Sequence, residues 1–164
     1  MNDKLKVAGV FHIKQYLHDK LIAEHEIPNT VTNDGKDAML DIMFNGDTQI
    51  TTWYIGLVDN ASFTAIAATD SHATHAGWIE NEDYDEGTRP AWTEGAASSQ
   101  VTTNAAAVDF TISDTVTIKG LFLSNLSTKG STSAGTLWCA TAFDSAINCV
   151  DGTVLSVTYT VTLT

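Results

Sequence analysis

Hydrophobic and polar residues alternate over long stretches of this chain. Leu5, Val7, Gly9, Phe11 and Ile13 fall on one side of an extended segment, and Lys4, Lys6, His12 and Lys14 on the other, which is the period of a half-buried strand. After "HDK", Leu21 to Glu26 reads as its hairpin partner, with Ile27-Pro28 expected to end the pairing. The period then changes. "NDGKDAMLDIMFNG" begins on Asn33, a good N-cap, carries Asp34 and Asp37 early, and stops at Asn45-Gly46. Ala38, Met39, Ile42 and Met43 make one apolar stripe with Phe44 beside it, so the segment predicts a single helix over 34–45 with this stripe turned to the core.

Strands resume after the helix. "TTWYIGLV" is apolar on both sides, as a central strand between two covered faces would be. Residues 59–76 lack a period and read as a loop. "VDFTI" at 108–112 alternates with Val108, Phe110 and Ile112 inward, and "VTIKGLFLS" at 116–124 is two-faced. "TLWCATAF" at 136–143 follows a Ser/Thr/Gly turn. The closing segment places Leu155, Val157, Tyr159, Val161 and Leu163 on one side and Ser156, Thr158, Thr160 and Thr162 on the other. About seven to nine strands and one helix predict a mainly β chain: an antiparallel β-sandwich, jelly-roll-like, with one short α-helix, as a single domain over residues 1–164. No repeat of solenoid or propeller period is visible.

Composition narrows the partners. Among 164 residues, 8 are Lys or Arg and 20 are Asp or Glu, a formal charge of −12. Nucleic-acid binding needs clustered cations, and anionic membranes repel such a surface. No apolar run reaches membrane-spanning length, and "MNDKLKVAGV" lacks a signal-peptide pattern, so synthesis in a cytoplasm is expected. The two cysteines, Cys139 and Cys149, are expected to be reduced there, with a disulfide across a short loop as the alternative.

Candidate chemistry is sparse. The chain has no Walker A string, no G-x-G-x-x-G after a strand and no G-x-S-x-G elbow. "DSHATH" gathers Asp70, His72 and His75, a two-histidine, one-carboxylate set of a kind that binds iron or zinc. Such a set also arises by chance in a polar loop, and that is the expected reading. "ENEDYDE" supplies Glu80, Glu82, Asp83, Asp85 and Glu86, oxygens of the kind calcium prefers, but without EF-hand spacing. A solvated or partner-facing acidic tip over residues 80–86 is expected instead. In "HAGWIENEDYDEGTRPAW", Trp78, Tyr84 and Trp92 are expected to pin a long connection to the sheet. Arg89, the only arginine, is expected to pair with one of these carboxylates and stack on an aromatic ring. No catalytic residue, cofactor or metal site is assigned.

In order along the chain, "TTWYIGLVD", "HAGWIE", "YDEGTRPAW", "LFLSNLSTKG" and "VLSVTYTVT" resemble a family of small structural proteins of tailed-bacteriophage virions, over about residues 8–164. Its members are labelled capsid decoration (cement) proteins or tail fibre proteins. The resemblance implies a non-enzymatic β-structured virion part made in the bacterial cytoplasm. Its partner would be the major capsid protein on the outer shell surface or, alternatively, tail proteins, with the chain acting as a tail or fibre component that binds a host receptor. A short chain favours decoration over a long repetitive fibre. A closed homo-oligomer is expected of such a part. "ATAFDSAINCVDG" departs from the family pattern and reads as a loop. The expected docking side is the first hairpin, residues 4–26. It carries Lys4, Lys6, Lys14 and Lys20 beside Glu24 and Glu26, and its first strand is free to pair with a neighbouring sheet edge.

Overall fold

The computed structural model describes residues 5–164. Strands hold 49% of the chain and helix 8%, so the protein is mainly β and antiparallel, as the alternation predicts. Ten strands follow in chain order: β1 (Val7–Leu17), β2 (Lys20–Val31), β3 (Trp53–Asp59), β4 (Glu80–Asn81), β5 (Ala91–Trp92), β6 (Val101–Thr103), β7 (Val108–Thr111), β8 (Val116–Ser124), β9 (Leu137–Cys149) and β10 (Thr153–Leu163). Their order is β4-β3-β8-β9-β2-β1-β10-β6, with β5 also on β3 and β7 also on β10. This curled sheet works as two facing halves that share β2. One half is β2-β1-β10 with β6 and β7; the other is β2-β9-β8-β3 with β4 and β5.

Inward positions of the two halves make one core. Phe11, Ile13, Phe110, Leu155, Val157 and Tyr159 come from the first half and Ile55, Leu57, Ile118, Leu121, Leu123 and Cys139 from the second, all at most 1% exposed. Val161 and Leu163 are only partly covered. Leu5, expected inward, is 70% exposed, because it lies before the first strand pair, Val7 with Leu163. The β1–β2 hairpin turns on His18 and Asp19, both at positive φ (49° and 59°), the backbone that a tight two-residue hairpin turn requires.

Pro28 does not end the pairing as expected. It lies inside β2 opposite Val10, and pairing to β1 runs on to Asn29. The missing N–H is harmless there. Pro28 O accepts from Thr141 Oγ1 on the β9 side, and the β2–β9 ladder begins only at Thr30 and Val31. Proline thus sits where its nitrogen has no ladder partner. Nor is β1 a free edge. β10 runs along its whole length and β2 along Gly9–Leu17, so over those residues both of its edges are already paired.

"ATAFDSAINC" is strand, not loop. β9 passes through it with a slip of register: Gly120 faces Ala142 but Ile118 faces Ile147, so Lys119 alone spans residues 143–146. Lys119 Nζ donates to the carbonyls of Phe143 (2.6 Å) and Asp144 (3.3 Å) that the slip leaves outside the ladder. The excursion breaks the alternation, which hides the strand from a periodicity reading. Both cysteines therefore lie on β9, opposite Leu123 and Val116 of β8, which puts them roughly 20 Å apart along the sheet. They are free thiols.

The helix differs most. Its cap is Thr32 rather than Asn33: Gly35 N donates to Thr32 Oγ1 at 3.0 Å. α1 spans Asn33–Leu40 and runs into a wider π-turn, Asp41–Asn45, that closes on Gly46 at φ 79°. Its first turn is tied to the sheet. Asp34 Oδ2 accepts from Leu137 N at 2.7 Å, and Gly35 lies so close to the Trp138 backbone that a Cβ would come within 2.9 Å of Trp138 Cα. The wider turn interrupts the 3.6-residue period, so the predicted stripe is split: Ala38, Met39 and Ile42 stay partly covered and face Trp53 and Trp138, and the rest turns outward. Met43 and Phe44 are 69% and 78% exposed.

Candidate functional site

The long connection from β3 to β5 is organised by one buried cation. Pro90 O accepts from Ile55 N at 3.0 Å, which seats Arg89 at the rim of β3. The Arg89 side chain is 2% exposed and that of Glu80 6%. The two meet side-on as a fork: Nε to Oε1 and Nη2 to Oε2, both 2.7 Å. Arg89 Nη1 also donates to Leu126 O at 2.8 Å and to His72 Nε2 at 2.9 Å, and the guanidinium lies 5.0 Å from the Phe122 ring centre. Four of its five N–H groups are therefore engaged. Gly130 N adds a donor to Glu80 Oε2 at 2.6 Å. A guanidinium neutralised and saturated in this way does not offer an anion site.

The histidine's state follows from its neighbours. His72 Nδ1 faces Ser133 O at 3.0 Å. A carbonyl only accepts, so Nδ1 carries the proton. A guanidinium only donates, so Nε2 is bare. Burial lowers the His72 pKa below its ordinary value, against the opposing Ser133 hydrogen bond, and the positive charge of Arg89 adds to the lowering. Asp70 Oδ2 accepts from Trp78 Nε1 and from Ala67 N, both at 2.9 Å. His75 stacks on Trp78 at 3.8 Å. Asp70, His72 and His75 thus serve three different contacts. Among the described residues no three His, Cys, Asp or Glu side chains gather as metal ligands.

The pinning aromatics are all buried: Trp78 3%, Tyr84 3%, Trp92 5%. Tyr84 meets Phe110 edge-on at 5.1 Å, and Lys129 Nζ covers its ring at 3.6 Å while donating to Tyr84 O. Trp92 Nε1 donates to Asn104 Oδ1 at 2.7 Å. Asn104 also receives Tyr159 N and donates to Val157 O. The acidic tip is partly consumed within the fold. Glu80 takes Arg89, and both Glu86 oxygens accept from Thr111 N at 3.1 and 3.2 Å. Glu82, Asp83 and Asp85 face solvent. Beside them a cavity of about 230 Å³ is lined by His75, Ile79, Glu82, Phe122 and Thr132.

The lysines of the first hairpin lie apart from this cluster. Lys6 N and O pair with the backbone of Thr164. Lys14 Nζ lies 3.7 Å from Glu24, an exposed pair, and His12 lies 3.3 Å from Glu26. Lys20 is exposed beside the turn. Lys4 lies outside the described residues.

Sequence reasoning missed one surface, because its stripe pointed to a core. Leu40 (49% exposed), Met43 and Phe44 stand out on α1 and its π-turn. Next to them a groove of about 280 Å³ runs between Met39 and Ile42 on one side and Ile50, Trp53 and Trp138 on the other. Three large apolar side chains this exposed within five residues leave on the order of 400 Å² of apolar surface, the size at which patches on soluble proteins mark interaction sites. The flanking acids Asp37, Asp41 and Asp47 accept no side-chain hydrogen bond and pair with no cation among the described residues.

No protein-family model matches this chain, and no curated protein matches it.

Proposed function

We propose that this chain is a structural protein of a bacteriophage virion that decorates the outer surface of the assembled capsid and stabilises it. The observation that supports this reading best is the placement of the residues behind the resemblance. Trp53, Trp78, Glu80, Tyr84, Arg89 and Trp92 lie in or against the sandwich, holding one another and the connection between β3 and β5. They act as framework. The polar groups with chemical potential, Arg89, Glu80 and His72, are spent on each other. What the surface offers is apolar area and unpaired acids, the means of binding another protein rather than turning over a substrate. A part that binds the closed shell and not its free subunit stabilises the shell by mass action.

Copy number tests this. Quantitative mass spectrometry of purified virions of the encoding phage should find the chain at hundreds of copies, comparable with the major capsid protein. A few to a few dozen copies, travelling with purified tails, would replace decoration with a tail or fibre role.

A further inference from the structure

We infer that Leu40, Met43 and Phe44, together with the groove between α1 and Trp53 and Trp138, form the docking face of this chain. Its occupant is a protein surface with an apolar pocket rimmed by lysines or arginines. Resting on the reading above, that surface is the outside of the assembled shell. The apolar centre is already the size of the core of one side of a standard interface, of which each partner buries about 800 Å². Its position supports the same role. α1 is anchored at its first turn by Thr32, Asp34 and Gly35, so the exposed end is presented on a fixed stem.

Charge chooses the occupant. Residues 34–47 hold four aspartates (Asp34, Asp37, Asp41, Asp47) and one lysine (Lys36), a local charge of −3. Asp34 is tied to Leu137 N; the other three surround the apolar residues without partners among the described residues. A second copy seated there would set −3 against −3, on a chain whose total is already −12. Like charges facing each other across an interface disfavour the contact, and opposite charges speed and orient it. A basic-rimmed partner satisfies both the apolar centre and the acidic border.

The test uses full-length chain, shells of the encoding phage prepared without it, and purified tails. Three proteins are compared: the wild type, Met43→Ser/Phe44→Ser, and Asp37→Lys/Asp41→Lys/Asp47→Lys. Near-wild-type melting temperatures confirm that the variants fold, as expected at exposed positions. Co-sedimentation should show wild type binding shells, the apolar variant at least about 30-fold weaker, and the charge variant about tenfold weaker. Wild-type affinity should also fall as salt rises. If Met43→Ser/Phe44→Ser decorates shells as tightly as wild type, this face is wrong while the decoration reading stands. If wild type binds tails or nothing, the decoration reading fails and this occupant with it. If the chain instead self-associates in sedimentation equilibrium and the apolar variant abolishes that, the occupant is a second copy and the inference is overturned.

Discussion

Replacing Arg89 with methionine tests what holds the long connection in place. Methionine keeps much of the length and apolar volume of the side chain but removes the charge and all five donors. Glu80, with its side chain 6% exposed, would keep only Gly130 N as a partner. His72 Nε2 and Leu126 O would each lose a donor. Removing one member of a buried ion pair costs about 3–5 kcal/mol, because the other charge remains desolvated and uncompensated. For a chain of this length each kcal/mol lowers Tm by about 2–4 °C, so the fall should be on the order of 10 °C. Thermal and urea denaturation followed by circular dichroism measure it. The double variant Arg89→Met/Glu80→Gln removes the stranded charge while the amide oxygen still accepts from Gly130 N. It should therefore lose less than the two single variants added together, by about 2 kcal/mol. An Arg89→Met loss under about 1 kcal/mol, or a double variant equal to the sum, would refute the idea that this pair fixes the loop.

Three further outcomes follow from other parts of the fold. Burial pushes the thiols of Cys139 and Cys149 up to about 12 and about 11, so neither should react with a disulfide reagent in the native protein at pH 8, and both should react once it is unfolded in denaturant. A Cβ on Gly120 would collide with Thr141 O across the β8–β9 pair; Gly120→Ala should cost at least about 2 kcal/mol in urea melts, since backbone has to move on both strands. His72 is held neutral with a folded pKa below its unfolded value near 6.5, so below about that pH the unfolded chain binds the extra proton and stability falls as pH falls; between pH 7 and pH 5 the stability of His72→Gln should decline less steeply than that of wild type, and equal slopes would show that His72 is not the group responsible.

The sequence showed most of the sheet, because strands buried on one face repeat every second residue. Phe11 and Ile13, Phe110 and Ile112, and Leu155 to Tyr159 are where the alternation put them. It failed where tertiary context overrides a local rule. Pro28 reads as a strand end, yet it sits inside β2 at a position with no ladder partner. Residues 143–146 lose the alternation because one lysine spans four residues of β9. The stripe of α1 looked like a core face because periodicity reports that a face is apolar and not what covers it. At the candidate site, the arginine and aromatics stood out by type. Their partners did not, since five carboxylates lie close to Arg89 in sequence and only the fold selects Glu80. His72, weighed as a metal ligand, accepts from Arg89 instead.

The threading of the sheet has a consequence for how the chain is made. The hairpin of β1 and β2 lies between β9 and β10, with Val7 against Leu163 and Val31 against Cys139. At about 5–20 residues per second, the ribosome needs roughly 5–20 s to travel from the end of β2 to the start of β9. Through that interval the hairpin has a strand-shaped vacancy on either flank, and β2 cannot be joined to the second half of the sandwich. Contacts this distant in sequence form slowly, because a long loop must close before they give any stability. The two strands that close these flanks, β9 and β10, follow all the other strands described here in sequence. A nascent chain should therefore remain sensitive to protease until β10 has left the exit tunnel, and then become resistant in a single step.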